Sequence, residues 1–182
     1  MFAHNGVIED LPQLERHLGD DGMSLVGGDT DSERLFALIC TEIDRRGGDV
    51  AAGIAAAVDW VAAKLPVLAL NFVLTTADEL WAFRYPETHE LHILERPAGG
   101  DALEQVSSHG TRIRSEHAAT RPTVVIASEV MDSDSGWRPI SSGELIHVTP
   151  TLETVSRTLI ERPPARPLSL EDLAGHARES QA

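Results

Sequence analysis

The chain has 182 residues, with 15 Lys and Arg against 29 Asp and Glu, and therefore a formal net charge of −14. This acidic balance excludes the clustered basic surface through which proteins contact the phosphates of nucleic acids. No segment has the ~18 consecutive apolar residues of a membrane span, and the first residues lack the pattern of a signal peptide. The single cysteine, Cys40, cannot form an internal disulfide. The sequence therefore predicts a cytoplasmic protein with no membrane or nucleic-acid partner.

The first third of the chain has the hydrophobic spacing of helices that follow a short strand. Residues 1–4 are predicted to end a strand, and residues 7–18 carry leucines at helical spacing. Residues 31–46 have apolar side chains along one helical face and end at a Gly-Gly stop. Residues 49–65 begin with an Asp cap and stop before Pro66. The two longer helices are expected to form one layer.

After Pro66 the hydrophobic pattern changes from helical to extended. Strands are predicted at 67–74, 80–85, 90–94, 111–114, 123–129, 144–148 and 155–160. The first three are separated by short turns and predict an antiparallel meander, whereas the fourth lies in a long loop, 97–122. Helices followed by antiparallel strands imply an α+β fold.

A Pro-rich segment near the C-terminus, residues 163–167, predicts the end of this fold. We therefore predict one domain over residues 1–162, followed by a Pro-rich linker and polar C-terminal tail over residues 163–182. Within this last part, residues 169–182 are polar and predict a frayed helix or a tail. No internal repeat divides the chain further.

Two segments near the start of the chain carry residues suited to chemistry. Residues 2–6 read Phe-Ala-His-Asn-Gly, and residues 27–33 read Gly-Gly-Asp-Thr-Asp-Ser-Glu. Asn-Gly alone is a common turn pair, and Thr-Asp-Ser-Glu fits a helix capping box. Gly-Gly-Asp-Thr-Asp also begins like a calcium loop, but the later ligands of an EF-hand do not follow. The combination of both segments, flanked by apolar runs, favours a functional site.

Together the two segments resemble the active-site motifs of the class II glutamine amidotransferases, N-terminal-nucleophile hydrolases that split glutamine with an amino-terminal cysteine. The resemblance implies that the Asn5 side chain and the Gly6 backbone N–H form an oxyanion hole. It also implies that Asp31 binds the α-ammonium group of the substrate. Residues 124–129 and 131–137 are similar to the late strand and acidic turn of the short members. Those members include the hydrolase that removes a γ-glutamyl group in ergothioneine synthesis.

The resemblance further implies an incomplete four-layer α/β/β/α sandwich of two antiparallel sheets. The family's nucleophilic cysteine and substrate-binding Arg segment are not in this sequence, so we expect the recorded start to be an internal Met. The complete protein would hydrolyse the side-chain amide of glutamine or a γ-glutamyl amide through a γ-glutamyl thioester, without cofactor or metal. Transfer of the ammonia to a separate synthetase stays open beside simple hydrolysis. The alternative is a truncated, catalytically inactive protein that binds a γ-glutamyl ligand or a partner.

Other residues have weaker functional patterns. Cys40 lies within an apolar helix face, which predicts a buried structural thiol. His89 and His92 lack a third ligand at suitable spacing, so no metal site is predicted. His4 precedes the oxyanion pair and either shapes the site or is a structural residue. The acidic residues 132–134 predict a solvated turn.

Overall fold

The longer helices of this chain begin at residues whose side chains bond to the first turn. The computed structural model describes residues 1–99, 103–107 and 110–173, with helices α1 (Leu11–Met23), α2 (Asp31–Arg45) and α3 (Val50–Lys64). Before α2, the Thr30 hydroxyl accepts the N–H of Glu33 at 3.2 Å, and the Glu33 carboxylate accepts the N–H of Thr30 at 3.3 Å. Before α3, Asp49 accepts the N–H of Ala52 at 2.9 Å. The predicted positions of α2 and α3 are confirmed.

The first helix begins later than the leucine spacing indicated. Val7 and Ile8 continue the preceding strand, and α1 starts only at Leu11. Gly19, with a φ of 67°, interrupts α1 near its end, a conformation that glycine adopts without steric cost. In the described ranges, no helix is both long enough and apolar enough to cross a membrane.

The strands form two main sheets and one separate hairpin. They are β1 (Phe2–Ile8), β2 (Pro66–Thr75), β3 (Leu80–Phe83), β4 (His92–Arg96), β5 (Leu103–Val106), β6 (Arg112–Ser115), β7 (Thr123–Ala127), β8 (Arg138–Pro139), β9 (Glu144–Val148), β10 (Thr154–Thr158) and β11 (Arg166–Pro167). The first sheet has the order β1-β2-β3-β9-β10, with β11 beside β2, and the second sheet has the order β7-β4-β8. β5 and β6 pair only with each other among the described residues.

The helices cover one face of the first sheet, and the second sheet packs against its other face. Between the helices and the first sheet lies a core that includes Leu35, Leu38, Ile54, Val58, Leu70, Phe72 and Phe83. Between the two sheets lies a smaller core of Ala82, Leu91, Ile93, Ile140, Ile146 and Val148. The β5–β6 hairpin and a short 3₁₀ helix (His117–Ala119) pack over the outer face of the second sheet. The fold is α+β, and in the described residues this hairpin occupies the position of the second helical layer.

Strand β4 does not pair with β3, so the predicted three-stranded meander is wrong beyond β2 and β3. β3 pairs instead with β9, and β4 lies in the second sheet. Pro86 has no backbone N–H and cannot continue a central strand. The Asn71 amide also accepts the N–H of Tyr85 at 3.1 Å and donates to the carbonyls of His89 and Glu90 at 3.2 and 3.3 Å. These contacts direct the chain out of the first sheet and into the second.

The predicted loop 97–122 contains the β5–β6 hairpin. The strand predicted at 111–114 is confirmed as β6, whereas its partner β5 was not predicted. β5 reads Leu-Glu-Gln-Val, in which two adjacent polar residues interrupt the alternation expected of a half-buried strand. The pairing with β6, rather than its own sequence, makes this segment a strand.

The segment after the predicted domain boundary contacts both α3 and the first sheet. The N–H of Ala165 donates to the carbonyl of Ala62, and the N–H of Leu168 donates to the carbonyl of Val67, each at 2.9 Å. Between these bonds β11 runs parallel to β2. Of the predicted frayed helix or tail, residues 169–173 form a turn and the rest lies outside the described residues. The division of the chain after residue 162 stays a prediction.

Candidate active site

An open cleft lies between the edge strands of the two sheets. β1 pairs with β2 alone and β7 with β4 alone among the described residues, so each strand has one unpaired backbone edge. The cleft encloses about 200 Å³. Its lining comes mainly from three strands, with Ala3 and Asn5 on β1, Asn71 and Val73 on β2, and Ile126 and Ala127 on β7. Ala3 and Asn5 are exposed because the second sheet does not reach over β1.

The predicted oxyanion residues Asn5 and Gly6 lie inside β1, rather than after a strand as the sequence indicated. The strand continues to Ile8 because it pairs with β2 along its whole length. Asn5 lies opposite Asn71, and directly opposed residues of antiparallel strands project to the same face of the sheet. Since Asn71 lines the cleft, the exposed Asn5 side chain lies on the cleft face.

The backbone N–H of Gly6 points away from β2, toward the unpaired edge of β1. Its partner is Leu70, whose own N–H donates at 2.6 Å to Tyr85 on the other side of β2. Gly6 and Leu70 therefore form a non-hydrogen-bonded pair of the antiparallel ladder. A β-carbon at residue 6 would overlap the carbonyl oxygen of Ala69, so this position requires glycine. The oxyanion roles of Asn5 and Gly6 stay predictions.

Asp31 joins the helix-cap turn (residues 29–33) to the end of β1. Its Oδ2 accepts the N–H of Ile8 at 2.9 Å, and its Oδ1 accepts the N–H of Ser32 at 2.7 Å. The N–H of Ile8 is available because it lies two residues after Gly6 on the edge strand and therefore points, like the Gly6 N–H, away from β2. The Ser32 hydroxyl lies a further 3.3 Å from Oδ1. A carboxylate has about four acceptor positions, so capacity for another donor remains even with this contact. The binding of a substrate ammonium by Asp31 stays a prediction.

The His4 ring lies on the opposite face of β1 from Asn5, against the first turn of α2. Its Nδ1 is 2.9 Å from the Ser32 hydroxyl, and its Nε2 is 3.4 Å from the carbonyl oxygen of Ala69. Burial lowers the pKa of His4 below its ordinary value, although the neighbouring Asp31 carboxylate acts in the opposite direction. The imidazole is therefore mainly neutral near pH 7 and can accept as well as donate a hydrogen bond.

A buried arginine supports the helix-cap turn from the side of α1. Arg34 donates to the Glu15 carboxylate at 2.7 Å and to the carbonyls of Gly28 and Thr30 at 3.2 and 3.0 Å. Hydrogen bonds from a charged donor are stronger than those between neutral groups. Arg34 thus holds the loop before α2 and, with it, the position of Asp31.

Two site residues, Ser32 and Asn71, were not singled out from the sequence. The Ser32 Oγ lies 2.9 Å from His4 Nδ1 and 3.3 Å from Asp31 Oδ1. Asn71 is almost fully buried and holds the chain at Glu90, on the far wall of the cleft. A signal for Asn71 is present, because one amide inside an apolar run predicts a buried group with dedicated partners. Ser32 has no such signal apart from its position beside Asp31.

The remaining candidate residues differ in their burial. Cys40 is half-buried rather than fully buried, because it lies at the margin of the apolar face of α2. Burial still raises the pKa of its thiol, with Asp44 acting in the same direction. His92 is buried, and its Nε2 lies 3.7 Å from the Glu90 carboxylate. Within the described ranges, no group of three or more His, Cys, Asp or Glu residues could hold a metal ion.

The acidic residues 132–134 predicted a solvated turn. In the structure, the outer turn (residues 132–137) is instead tied to the rest of the protein by hydrogen bonds. Asp132 is half-buried and accepts the side-chain N–H groups of Gln105 at 2.7 Å and Trp137 at 2.8 Å. It also accepts the backbone N–H of Asp134 at 3.0 Å. Burial acts to raise the pKa of Asp132, but these hydrogen bonds outweigh it and hold the pKa below its ordinary value. Asp132 therefore fastens the β5–β6 hairpin to the outer turn.

Comparison with known proteins agrees with this architecture. No curated protein sequence matches the chain significantly. A predicted glutamine amidotransferase from Pseudomonas aeruginosa PA01 is similar in structure, with 20% identity and a TM-score of 0.64, over 86% of this chain and 59% of that one. A glutamine aminotransferase class-II domain protein from Silicibacter pomeroyi is similar in structure, with 21% identity and a TM-score of 0.60, over 90% of this chain and 67% of that one.

A third similar structure is glutamine phosphoribosylpyrophosphate amidotransferase from B. subtilis, with 20% identity and a TM-score of 0.57, over 89% of this chain and 29% of that one. At these identities the structures show the fold, which is that of the N-terminal-nucleophile hydrolases. The chain spans 59% of the length of the Pseudomonas protein. The family model of class II glutamine amidotransferases matches residues 1–166, which include the cleft and the helix-cap turn. The chain therefore belongs to the class II glutamine amidotransferases.

Proposed function

We propose that this chain forms the oxyanion-binding and ammonium-binding parts of an enzyme that hydrolyses the side-chain amide of glutamine or of a γ-glutamyl amide. The observation that carries this proposal is the position of Asn5 and Gly6 on the unpaired edge of β1. The Asn5 amide is exposed in the cleft, and the Gly6 N–H is not used by β2. Attack on an amide carbon places negative charge on the carbonyl oxygen, and two fixed donors stabilise that charge.

The nucleophile of this reaction is an amino-terminal cysteine, which uses its own α-amine as the base. Cys40 cannot serve in this role, since it lies in the middle of α2 and burial raises the pKa of its thiol. In this proposal the thiol is that of an amino-terminal cysteine carried by a longer protein. The α-amine takes the proton of the thiol, the sulfur bonds to the amide carbon, the C–N bond breaks, and the departing nitrogen takes that proton. Water then adds to the thioester carbon and the C–S bond breaks, which releases the γ-carboxyl group and restores the thiol.

Asp31 supplies the charge that selects an α-amino acid as substrate. Its two hydrogen bonds to backbone N–H groups fix the carboxylate in one orientation and leave acceptor positions for an ammonium group. The arrangement suits free glutamine and γ-glutamyl amides equally, because both carry the same α-ammonium. The ammonia released from glutamine either diffuses away or passes to a separate synthetase.

The test compares two proteins: residues 1–182, and an extended protein translated from the in-frame codons upstream of Met1. Each is assayed for ammonia release from glutamine and γ-glutamyl amides, and each is treated with a glutamine analogue that carries an electrophile at the γ position. We expect turnover by the extended protein alone, with the analogue attached to its amino-terminal cysteine. Cys40→Ser in both proteins is the matched control and should change neither result.

Three outcomes would contradict the proposal. Turnover by residues 1–182 would mean that the reaction does not need an amino-terminal thiol, and modification of Cys40 by the analogue would place the nucleophile in α2. An extended protein that binds glutamine without releasing ammonia would instead favour the noncatalytic, ligand-binding alternative.

A further inference from the structure

The consecutive residues His4 and Asn5 of β1 lie on opposite faces of the first sheet. Successive side chains of a strand point to opposite faces, so Asn5 faces the cleft while His4 faces the helix layer. The His4 ring contacts Ser32, which directly follows Asp31 in the first turn of α2. His4 therefore connects the strand that carries the proposed oxyanion donors to the turn that carries the proposed ammonium-binding carboxylate.

The partners of His4 determine where its proton lies. The carbonyl oxygen of Ala69 can only accept, so its contact with Nε2 at 3.4 Å assigns the imidazole proton to Nε2. A neutral imidazole has a single N–H, and Nδ1 is then an acceptor. The Ser32 hydroxyl, 2.9 Å from Nδ1, must therefore donate to His4. The burial that lowers the pKa of His4 favours this neutral state.

The direction of the Ser32 hydroxyl matters for Asp31. Ser32 has one hydroxyl proton, and its Oγ lies 2.9 Å from His4 Nδ1 but 3.3 Å from Asp31 Oδ1. While that proton points to His4, Oδ1 accepts only the backbone N–H of Ser32 and keeps an acceptor position free. If His4 donated from Nδ1 instead, the hydroxyl would turn to Asp31 and occupy that position.

We propose that His4, with its proton on Nε2, is a positioning residue that directs the Ser32 hydroxyl away from Asp31 and thereby keeps the second acceptor position of Oδ1 free for the substrate ammonium. This inference rests on the proposed function, in which Asp31 binds the α-amino group of a γ-glutamyl substrate. It predicts that the effect of His4 on substrate binding depends on the presence of the Ser32 hydroxyl. A purely structural His4 would show no such dependence.

The kinetic test uses the extended protein and the variants His4→Asn, His4→Gln and His4→Gln combined with Ser32→Ala. The side-chain oxygen of Asn reaches the position of Nδ1 and still accepts from Ser32, whereas the longer Gln reaches toward Ala69 and releases Ser32. We expect His4→Gln to raise the KM for glutamine roughly tenfold with kcat nearly unchanged, the size expected for one hydrogen bond to a charged group. Both His4→Asn and the added Ser32→Ala should restore most of the affinity.

The matched control is His17→Gln, which alters a histidine that stacks on Trp60 in the helix layer, away from the cleft. It should leave KM unchanged. The proton position is read independently of turnover from the imidazole ¹⁵N shifts of His4 in residues 1–182, where we expect protonation at Nε2. This measurement uses the unaltered chain and does not depend on the folding of any variant.

The outcomes separate this inference from the proposed function. A lack of ammonia release by the extended protein would overturn the proposed function and this inference with it. Normal turnover with an unchanged KM in His4→Gln, or a raised KM that Ser32→Ala does not restore, would overturn this inference alone. A His4 ring protonated at Nδ1 would also overturn it, whatever the turnover.

Discussion

The helix-cap turn and the outer turn have nearly the same sequence but form different structures. The first begins Asp-Thr-Asp-Ser and continues with Glu33, whereas the second begins Asp-Ser-Asp-Ser and continues with Gly136. Glu33 completes a capping box, and the 15-residue helix α2 follows. In the outer turn, Asp134 accepts the N–H of Gly136 at 2.8 Å, and no helix follows within it. Glu33 supplies the side-chain half of the capping box, which Gly136 cannot supply.

The two turns also differ in the segments that their carboxylates join. Asp31 reaches the N–H of Ile8 at the end of the strand that lines the cleft. Asp132 reaches Gln105 on the β5–β6 hairpin, which covers the outer face of the second sheet. Both carboxylates fasten segments that are distant in the sequence. Only the helix-cap turn lies beside the cleft strand, so changes there should alter catalysis, whereas changes in the outer turn should alter stability.

The largest effect on catalysis is expected at Asn5, the proposed oxyanion donor on the strand that the helix-cap turn contacts. Asn5→Ala in the extended protein should lower kcat for ammonia release by about 10²–10³, the usual effect of removing one oxyanion donor. Asn5 is exposed, so the free energy of unfolding should change little. Asp132→Ala is the control from the outer turn and should leave kcat per folded molecule unchanged. Full activity in the Asn5 variant would refute the oxyanion assignment.

A smaller effect is expected for the carboxylate of the helix-cap turn. Asp31→Ala should raise the KM for glutamine at least about tenfold, because a charged partner of the substrate ammonium is lost. The free energy of unfolding should fall by about 1–2 kcal/mol, since the N–H of Ile8 also loses its acceptor. Asp29→Ala, which removes the exposed acid of the same turn, is the control. Equal KM values for the two variants would sink the assignment of Asp31.

For the outer turn we expect a loss of stability without a loss of catalysis. Asp132→Ala leaves the buried Gln105 amide and the Trp137 N–H without their acceptor. The free energy of unfolding, measured by urea denaturation of residues 1–182, should fall by about 1–3 kcal/mol. A changed KM or kcat in the extended protein would show that the outer turn also reaches the site.

The pH dependence of the unfolding free energy tests whether the charge of Asp132 stabilises the fold. The folded-state pKa of Asp132 lies below its ordinary value of 3.8, so its charge stabilises the fold above that pH. This contribution is lost as the pH falls through the folded-state pKa. The difference in unfolding free energy between the native chain and Asp132→Asn should therefore shrink below about pH 4. A difference that stays constant with pH would mean that the charge of Asp132 is not involved.

The smallest effect is expected at Cys40. Cys40→Ser should lower the free energy of unfolding by less than about 1 kcal/mol, because the half-buried hydroxyl is only partly removed from water. Ammonia release by the extended protein should stay unchanged. Loss of activity with full stability would show that this thiol takes part in the reaction and that its assignment as a structural residue is wrong.

Much of the helix layer and part of the site could be predicted from the sequence, because the signals are local. Caps at Thr30 and Asp49 and apolar spacing at three and four residues define α2 and α3 without reference to the rest of the chain. The strongly apolar runs of β2 and β7 likewise identify strands. The motifs at residues 2–6 and 27–33 indicate the family, whose model matches residues 1–166.

Only the tertiary structure decided which strands pair and which polar groups bond to one another. Strand pairing joins groups far apart in the chain, so the sequence could not show that β4 enters the second sheet or that β5 has a partner in β6. The same holds for half-buried polar groups: Asp132 accepts a hydrogen bond from Gln105, and the Ser32 hydroxyl lies 2.9 Å from His4 Nδ1. A hydrogen-bond partner is chosen by proximity in the folded chain, and that proximity exists only once the helices and both sheets are packed.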